Sequence, residues 1–345
     1  MTIAHLRNIL RRLSKPSRAV NYVGTRLGLH FKWERMPFLP TTLDVEPNNT
    51  CNFKCPHCQV THWNKERTLL DEEGFGRILD QLPRLVRVKL QGMGEPLLNK
   101  KLVPMLEMGE ARGLTMNITS NGSLVRGDVA QQLAGLNNTE IIFSIDGATA
   151  EVFEKMREGS KFEKVINNIR DFMKIRGERR QPVVSAWTVI TQKNVHELSD
   201  IVRLCRELGL DFVTMQTFVS DWGKDDMVEH THTVKVGNHS DVLERAVAEA
   251  ERVGAVEGIE VRVARFDYYS TANKCPWPWT GSYIAANGDV VPCCIVADSD
   301  IAKLGNVFET SFEEIWNSPA YRELRRQIAS DEIPHYCRNC YSMND

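Results

Sequence analysis

Hydrophobic positions along this chain switch repeatedly between two periods. Short runs rich in aliphatic and β-branched residues, at 42–46, 87–91, 115–119, 140–145, 183–191 and 212–218, are separated by stretches at 71–82, 100–112, 150–175 and 195–208 whose apolar residues recur every three to four positions. The first pattern predicts strands and the second helices. Gly113 and Gly209 stand where left-handed caps would end two of those helices. Strands alternating with helices build parallel sheets with helical crossovers, and six such units predict an α/β protein based on a partial (β/α)6 barrel. Chemistry in barrels gathers at the C-terminal ends of the strands.

The flanks are different. Leu6, Ile9, Leu10 and Leu13 repeat at helical spacing among Arg7, Arg11 and Arg12, predicting a basic amphipathic helix followed by a linker containing proline, glycine and aromatic residues. The first 35 residues carry eight basic side chains and one acidic. Such a helix either packs on its own barrel with its charges in water, or makes a peripheral contact with a membrane surface or a partner. After 218 the pattern breaks over 220–238, rich in Asp, His and Gly. A helix at 241–253 and a strand at 259–264 then lead to a cysteine-bearing end. The expected division is an N-terminal extension at 1–40, a barrel at 41–222, a connecting segment at 223–274 and a small C-terminal domain at 275–345.

Charge narrows the function. With 43 Lys and Arg against 45 Asp and Glu in 345 residues, the chain has no general footprint for bulk nucleic acid. No apolar stretch approaches the ~20 residues of a membrane span, and no secretory signal is legible. A cytoplasmic setting follows. Seven of the nine cysteines fall into two sets, 51/55/58 and 275/293/337/340, in spacings that suit metal-bound thiolates better than disulfides. Cys205 and Cys294 are left over; Cys205 reads as a buried thiol, and Cys294 as a packing residue, a spare ligand or a hydrogen donor.

The first set, Cys51-Asn52-Phe53-Lys54-Cys55-Pro56-His57-Cys58, is one ligand short of the four that close an iron–sulfur cube, which leaves an iron free for a substrate or cofactor. Zinc with His57 or His62 as fourth ligand, or three buried thiols with no metal, are the alternatives. The spacing C-x3-C-x2-C resembles the signature of the radical S-adenosylmethionine (SAM) superfamily. The resemblance implies a [4Fe–4S] cluster at Cys51, Cys55 and Cys58 that binds SAM and cleaves it to a 5'-deoxyadenosyl radical. Gln91-Gly92-Met93-Gly94-Glu95 resembles that family's Gly-Gly-Glu turn, with Met93 in place of the first glycine, and implies Gly92, Met93, Gly94 and Glu95 around the methionine ammonium. By the same resemblance Ser144 and Arg157 are expected to contact SAM, with Ser120 and Asn121 as weaker contacts. A surface ion pair of Arg157 with Glu154 or Glu158 is the plainer alternative.

The second set, Cys275, Gly288-Asp289-Val290-Val291-Pro292-Cys293 and Cys337-Arg338-Asn339-Cys340, resembles the SPASM/Twitch extension of that superfamily. It implies a second, auxiliary [4Fe–4S] cluster held by Cys275, Cys293, Cys337 and Cys340; a zinc ribbon is the alternative. Four thiolates close such a cluster and suit it to electron relay. The expectation is a two-electron oxidation of a small polar metabolite such as a sugar or aminocyclitol, with a flavodoxin or ferredoxin as reductant. Ribosomal-peptide modification and a non-enzymatic zinc-bearing binding protein are the alternatives. Trp187 and Gln216 are candidate substrate contacts at strand ends.

Overall fold

A computed structural model describes residues 15–237, 240–265, 269 and 273–342. Six strands, β1 (Thr42–Val45), β2 (Arg87–Leu90), β3 (Thr115–Ser120), β4 (Thr139–Ser144), β5 (Val183–Val189) and β6 (Phe212–Gln216), pair in sequence order and in parallel. The expected strands are thus present, within two residues at each end. The sheet runs on past them at both edges. β7 (Glu260–Ala264) adds parallel to β6, and β8 (Gly281–Ile284) adds parallel to β1, carrying with it the antiparallel β9 (Asp289–Val291) and β10 (Gly305–Asn306). The cysteine-rich end of the chain is therefore continuous with the barrel sheet.

The helices, in chain order, are α1 (Pro16–His30), α2 (Glu72–Gln81), α3 (Leu102–Ala111), α4 (Gly127–Gly135), α5 (Ala150–Met156), α6 (Phe162–Arg176), α7 (Leu198–Glu207), α8 (Val228–Val234), α9 (Asp241–Glu257), α10 (Trp277–Thr280), α11 (Phe312–Trp316), α12 (Pro319–Ala329) and α13 (Arg338–Ser342). Gly113 and Gly209 adopt φ +72° and +78° beyond α3 and α7, as their positions predicted. Three expectations need correction. Residues 16–30, expected as linker, form α1 with Pro16 in the first turn, where its missing N–H costs nothing. The 220–238 break contains α8. The single helix expected over 150–175 is two, α5 and α6. Leu6, Ile9, Leu10 and Leu13 lie outside the described residues.

Alternation along the strands separates two environments. Leu43, Val45, Val88, Leu90, Met116, Ile118, Ile141 and Phe143 are buried and face the helix layer, where Met116 fills the space beside Gly109 and Phe143 meets Phe172 edge-on at 5.8 Å. The intervening positions, Asp44, Lys89, Asn117 and Glu140, are in register across β1 to β4. They make the inner face polar. Under the sheet extension lies Arg325, fully buried, with Nε donating to Pro278 O and Nη1 to Glu34 O, both at 2.9 Å. Its guanidinium lies 4.3 Å from the Trp316 ring and 4.8 Å from that of Tyr321. Burial lowers its pKa to about 10, so it stays charged at neutral pH. Replacing Arg325 by alanine is expected to cost about 3 kcal/mol in chemical denaturation, since two charged hydrogen bonds and the aromatic contacts go together.

Candidate active site: two cysteine sets on one barrel

Cys51, Cys55 and Cys58 occupy the loop that leaves β1. The loop is shaped by its own backbone: Cys58 N donates to Cys55 O at 3.0 Å, Thr61 Oγ1 to the same oxygen at 2.9 Å, and Phe53 N to Cys51 Sγ at 3.4 Å. Burial pushes the Cys51 thiol up to about 11 and Cys55 to about 12, and raises Cys58. Neighbouring thiols add to the rise at Cys51 and Cys55, and the Arg157 cation opposes it at all three. Thiolates this buried need positive charge beside them. Among the described residues no group of three or more His, Cys, Asp or Glu side chains is placed to hold a single metal ion. Three thiols and one buried cation fit a cluster with an open iron. His57 Nε2 lies 3.7 Å from Asp146 Oδ2, and His62 Nε2 lies 3.0 Å from Pro56 O.

Arg157 reaches this loop because the helix stops. α5 ends at Met156, Gly159 takes φ +89°, and α6 restarts at Phe162. In the gap, Glu158 O accepts from Lys54 N at 2.8 Å, tying the break to the cysteine loop. Arg157 turns inward, buried, with Nη2 2.6 Å from Asp146 Oδ2 and Nη1 3.9 Å from Cys55 Sγ. The plainer expectation, a surface pair with Glu154 or Glu158, is corrected here: Glu154 binds Lys161 instead, at 2.9 Å. Asp146 is fixed in turn by Val189 N, which donates to Oδ1 at 2.8 Å.

The Gly92–Glu95 turn packs where side chains would not fit. A Cβ on Gly92 would meet Glu46 Cγ at 2.2 Å, and one on Gly94 would meet Thr50 O at 2.4 Å and Asn48 O at 2.6 Å. Glu46 accepts from Met93 N at 3.0 Å, Tyr283 OH at 3.3 Å and Ala286 N at 3.2 Å, so one carboxylate joins the turn to the β8 extension. Met93 packs with Cys294 against Tyr283, Ala285, Val291 and Ala297. A glycine there would leave that seam unfilled. Glu95 is buried with its carboxylate already engaged: Ser120 Oγ and Asn121 N donate at 2.7 Å and Leu97 N at 3.2 Å. Ser120 and Asn121 are thereby spent on orienting Glu95, and Asn121 Nδ2 also lies 3.9 Å from Cys51 Sγ.

Ser144 ends β4 half-buried, in register with Trp187 on β5. Trp187 Nε1 donates to Gln216 Oε1 at 3.0 Å, Lys89 Nζ lies 5.8 Å from the Trp187 ring, and Asn117 Nδ2 donates to Glu140 Oε2 at 2.5 Å. The inner face thus carries both charge signs beside an aromatic platform. Burial raises the Asp44 carboxyl, opposed by Lys89, Arg87 and the nearby Cys294 thiol.

Cys275, Cys293, Cys337 and Cys340 converge at the other edge. Burial pushes Cys275 up to about 11 and Cys293 to about 12, and raises Cys337 and Cys340; Cys275 and Cys293 each add to the rise at both Cys337 and Cys340. Cys275 N donates to Tyr341 OH at 3.0 Å. Four half-buried thiols, close enough that neighbours raise the pKa at Cys293, Cys337 and Cys340, fit a closed cluster. Cys205 is buried on α7, its thiol raised by burial alone. Between the two sets runs the segment around α8: His230 Nε2 is 2.6 Å from Pro56 O, while Lys224 pairs with Asp298 at 2.9 Å and Asp225 with His335 at 2.8 Å. Asp146, Glu46, Asp44 and Lys89 were not singled out by sequence; their one signal was their position at or near the ends of predicted strands.

Comparison with known proteins agrees with this arrangement. The family model of the radical SAM superfamily matches residues 45–205, and that of an iron–sulfur cluster-binding domain, SPASM, matches residues 275–341. The tungsten-containing aldehyde ferredoxin oxidoreductase cofactor-modifying protein of Pyrococcus furiosus is 24% identical over 332 residues, covering 86% of each chain. The mycofactocin maturase of Mycobacterium tuberculosis is 24% identical over 299 residues, 85% of this chain and 75% of that one. Among solved structures, Streptococcus suis SuiB bound to precursor peptide SuiA shares the fold with a TM-score of 0.69 at 19% identity, covering 83% of this chain and 67% of that one.

Proposed function

We propose that this chain, which belongs to the radical SAM superfamily and carries a SPASM iron–sulfur cluster-binding domain, oxidises a polar substrate held on the inner face of its barrel by two electrons. In this reading Cys51, Cys55 and Cys58 hold the SAM-binding [4Fe–4S] cluster, and Cys275, Cys293, Cys337 and Cys340 hold the auxiliary one. Once bound, the first cluster supplies the electron that cleaves SAM to a 5'-deoxyadenosyl radical, and the second accepts the electron left on the substrate.

The rest falls to side chains. Gly92 and Gly94 keep the turn close enough for its backbone to meet the SAM ammonium, Glu95 adds its carboxylate, and Arg157 brings a cation to the SAM carboxylate. Ser144 faces the same end of the barrel. Lys89, Glu140, Trp187 and Gln216 orient a substrate through charge and hydrogen bonds. With one hydrogen atom gone to the nucleoside, the proton of the substrate hydroxyl passes to the Asp44 carboxylate and a C=O bond forms; a buried carboxyl with a raised pKa suits that transfer.

The observation that carries oxidation is the packing of Cys294 with Met93 against Tyr283, Ala285, Val291 and Ala297, because it brings the loop bearing Cys293 onto the Gly92–Glu95 turn at the mouth of the barrel. A sugar or aminocyclitol fits the polar inner face. A second reading, modification of a peptide, is favoured by relatives named as maturases of mycofactocin and of a sporulation killing factor. A cytoplasmic flavodoxin or ferredoxin is the proposed reductant. The test uses reconstituted protein, SAM, reductant and polyols deuterated at carbon. Deuterium in 5'-deoxyadenosine with a product three mass units lighter than the labelled substrate, one deuterium and one hydroxyl proton gone, supports oxidation; a product only one mass unit lighter, its deuterium replaced by a solvent hydrogen, contradicts it.

A further inference from the structure

The helix α1 is packed inside out. Its buried arc is Arg18, Asn21, Gly24, Thr25 and Gly28, a set of polar and small residues, whereas an ordinary surface helix buries its apolar stripe. Polar bonds fix that arc: Arg18 donates to Gly113 O at 2.9 Å and Arg112 O at 2.8 Å, and Asn21 exchanges two bonds with the Leu39 backbone, at 2.8 and 3.2 Å. Gly24 and Gly28 admit the Phe38 ring and the Met36 sulfur so closely that a Cβ on either would lie 2.4 Å from them.

Apart from Leu29, which packs against the core, the large aliphatic residues are left outside. Val20, Val23, Leu27 and, just past the helix end, Phe31 are 63%, 55%, 43% and 61% exposed, and their spacing of three, four and four residues puts them on one face. They are four of the nine exposed large hydrophobics among the described residues, so this is a stripe and not scatter. Lys15, Arg26 and His30, all exposed, flank it. Eight of the 43 Lys and Arg, one of them the buried Arg18, but only one of the 45 Asp and Glu fall in the first 35 residues. Residues 1–14, outside the described residues, add Arg7, Arg11 and Arg12 with Leu6, Ile9, Leu10 and Leu13 to the same end of the chain.

We infer that the exposed face of α1 is a docking surface for an anionic lipid bilayer. An apolar stripe bordered by cations is the chemistry of a helix lying in a membrane interface: the stripe enters the acyl boundary and the cations meet lipid phosphates. The one-sided charge selects a lipid surface over an apolar protein groove, which would not call for so many uncompensated cations. No helix among the described residues is long and apolar enough to cross a membrane, so the contact is peripheral.

Flotation of the reconstituted full chain with vesicles tests this. With phosphatidylcholine containing about 30% phosphatidylglycerol, the protein is expected to float at low salt and to be largely released at about 0.5 M NaCl; with phosphatidylcholine alone it stays in solution. Val23→Ser/Leu27→Ser/Phe31→Ser is expected to lower binding about tenfold or more with iron content unchanged, since none of the three is among the side chains packed on the core and Phe31 meets the rings of His30 and Trp33 near the surface. Failure to float with anionic vesicles overturns the inference, and so does undiminished binding by the triple variant, which would place the contact on residues 1–14 alone. Cross-links from residues 1–14 onto Val23 and Phe31 in the absence of vesicles, with flotation lost, would identify a segment of the chain as the occupant and likewise overturn it.

Discussion

Gly94→Ala is expected to weaken SAM binding severely. The new methyl would lie 2.4 Å from Thr50 O and 2.6 Å from Asn48 O, and both are backbone atoms at the entrance to the cysteine loop, unable to rotate away. Relief separates the turn from the loop and breaks two bonds, Glu95 N to Thr50 O at 2.9 Å and Asn48 Nδ2 to Glu95 O at 2.8 Å. Overpacking costs about 1–3 kcal/mol, and each hydrogen bond about 1 kcal/mol more. A distortion of that size aimed at the ammonium site is expected to weaken SAM binding by at least about a hundredfold, roughly 2.7 kcal/mol, in calorimetric titration of reconstituted protein. Gly135→Ala, where a Cβ meets nothing within 4 Å, is the matched control and leaves affinity unchanged. Equal affinities in the two variants would refute the part assigned to the turn.

Asp146→Ala is expected to cost stability of about 3–5 kcal/mol, because it strands the buried Arg157 guanidinium without its counter-charge. It also frees Val189 N, whose 2.8 Å bond fixes the end of β5. The double variant Asp146→Asn/Arg157→Met removes both charges, so chemical denaturation should show much of the loss recovered. SAM affinity should not recover with it, since the cation is gone. That split separates a residue that only holds the fold from one that positions Arg157. Asp146→Asn alone leaves the cation less compensated beside Cys55, and the cluster's reduction potential should move to more positive values. An unmoved potential would show that Arg157 acts on the substrate side only.

The strands were legible because the inner and outer faces of the barrel differ in polarity, which writes a period of two into β1 to β6. The helix break at 157–161 was not. Arg157-Glu158-Gly159-Ser160-Lys161 continues a helical pattern, and an isolated glycine inside one is ambiguous; only the cysteine loop, through Lys54, shows why the helix must stop there. α1 was read as linker because Pro16, Gly24 and Gly28 look like breakers; here Pro16 opens the helix and the two glycines admit Phe38 and Met36. The union of the C-terminal strands with β1 joins residues 239 positions apart, as in the bond from Thr41 to Thr280, a pairing local periodicity does not encode. Both cysteine sets were visible from spacing, because ligation demands residue type and count. Glu46 and Asp146 act through what they hold, Met93 and Arg157, and such partnership exists only once the chain is folded.

The central claim is that three thiols on the β1 loop hold a cluster that meets SAM while four at the sheet extension hold another. Anaerobic iron and sulfide analysis, with EPR of the reduced protein in the presence and absence of SAM, tests it on the native chain and on Cys51→Ala/Cys55→Ala/Cys58→Ala. The account predicts about eight irons with matching sulfide and a signal that changes on adding SAM, falling in the variant to about four irons and a signal indifferent to SAM. Zinc in place of iron after reconstitution, or a native signal that ignores SAM, would contradict it.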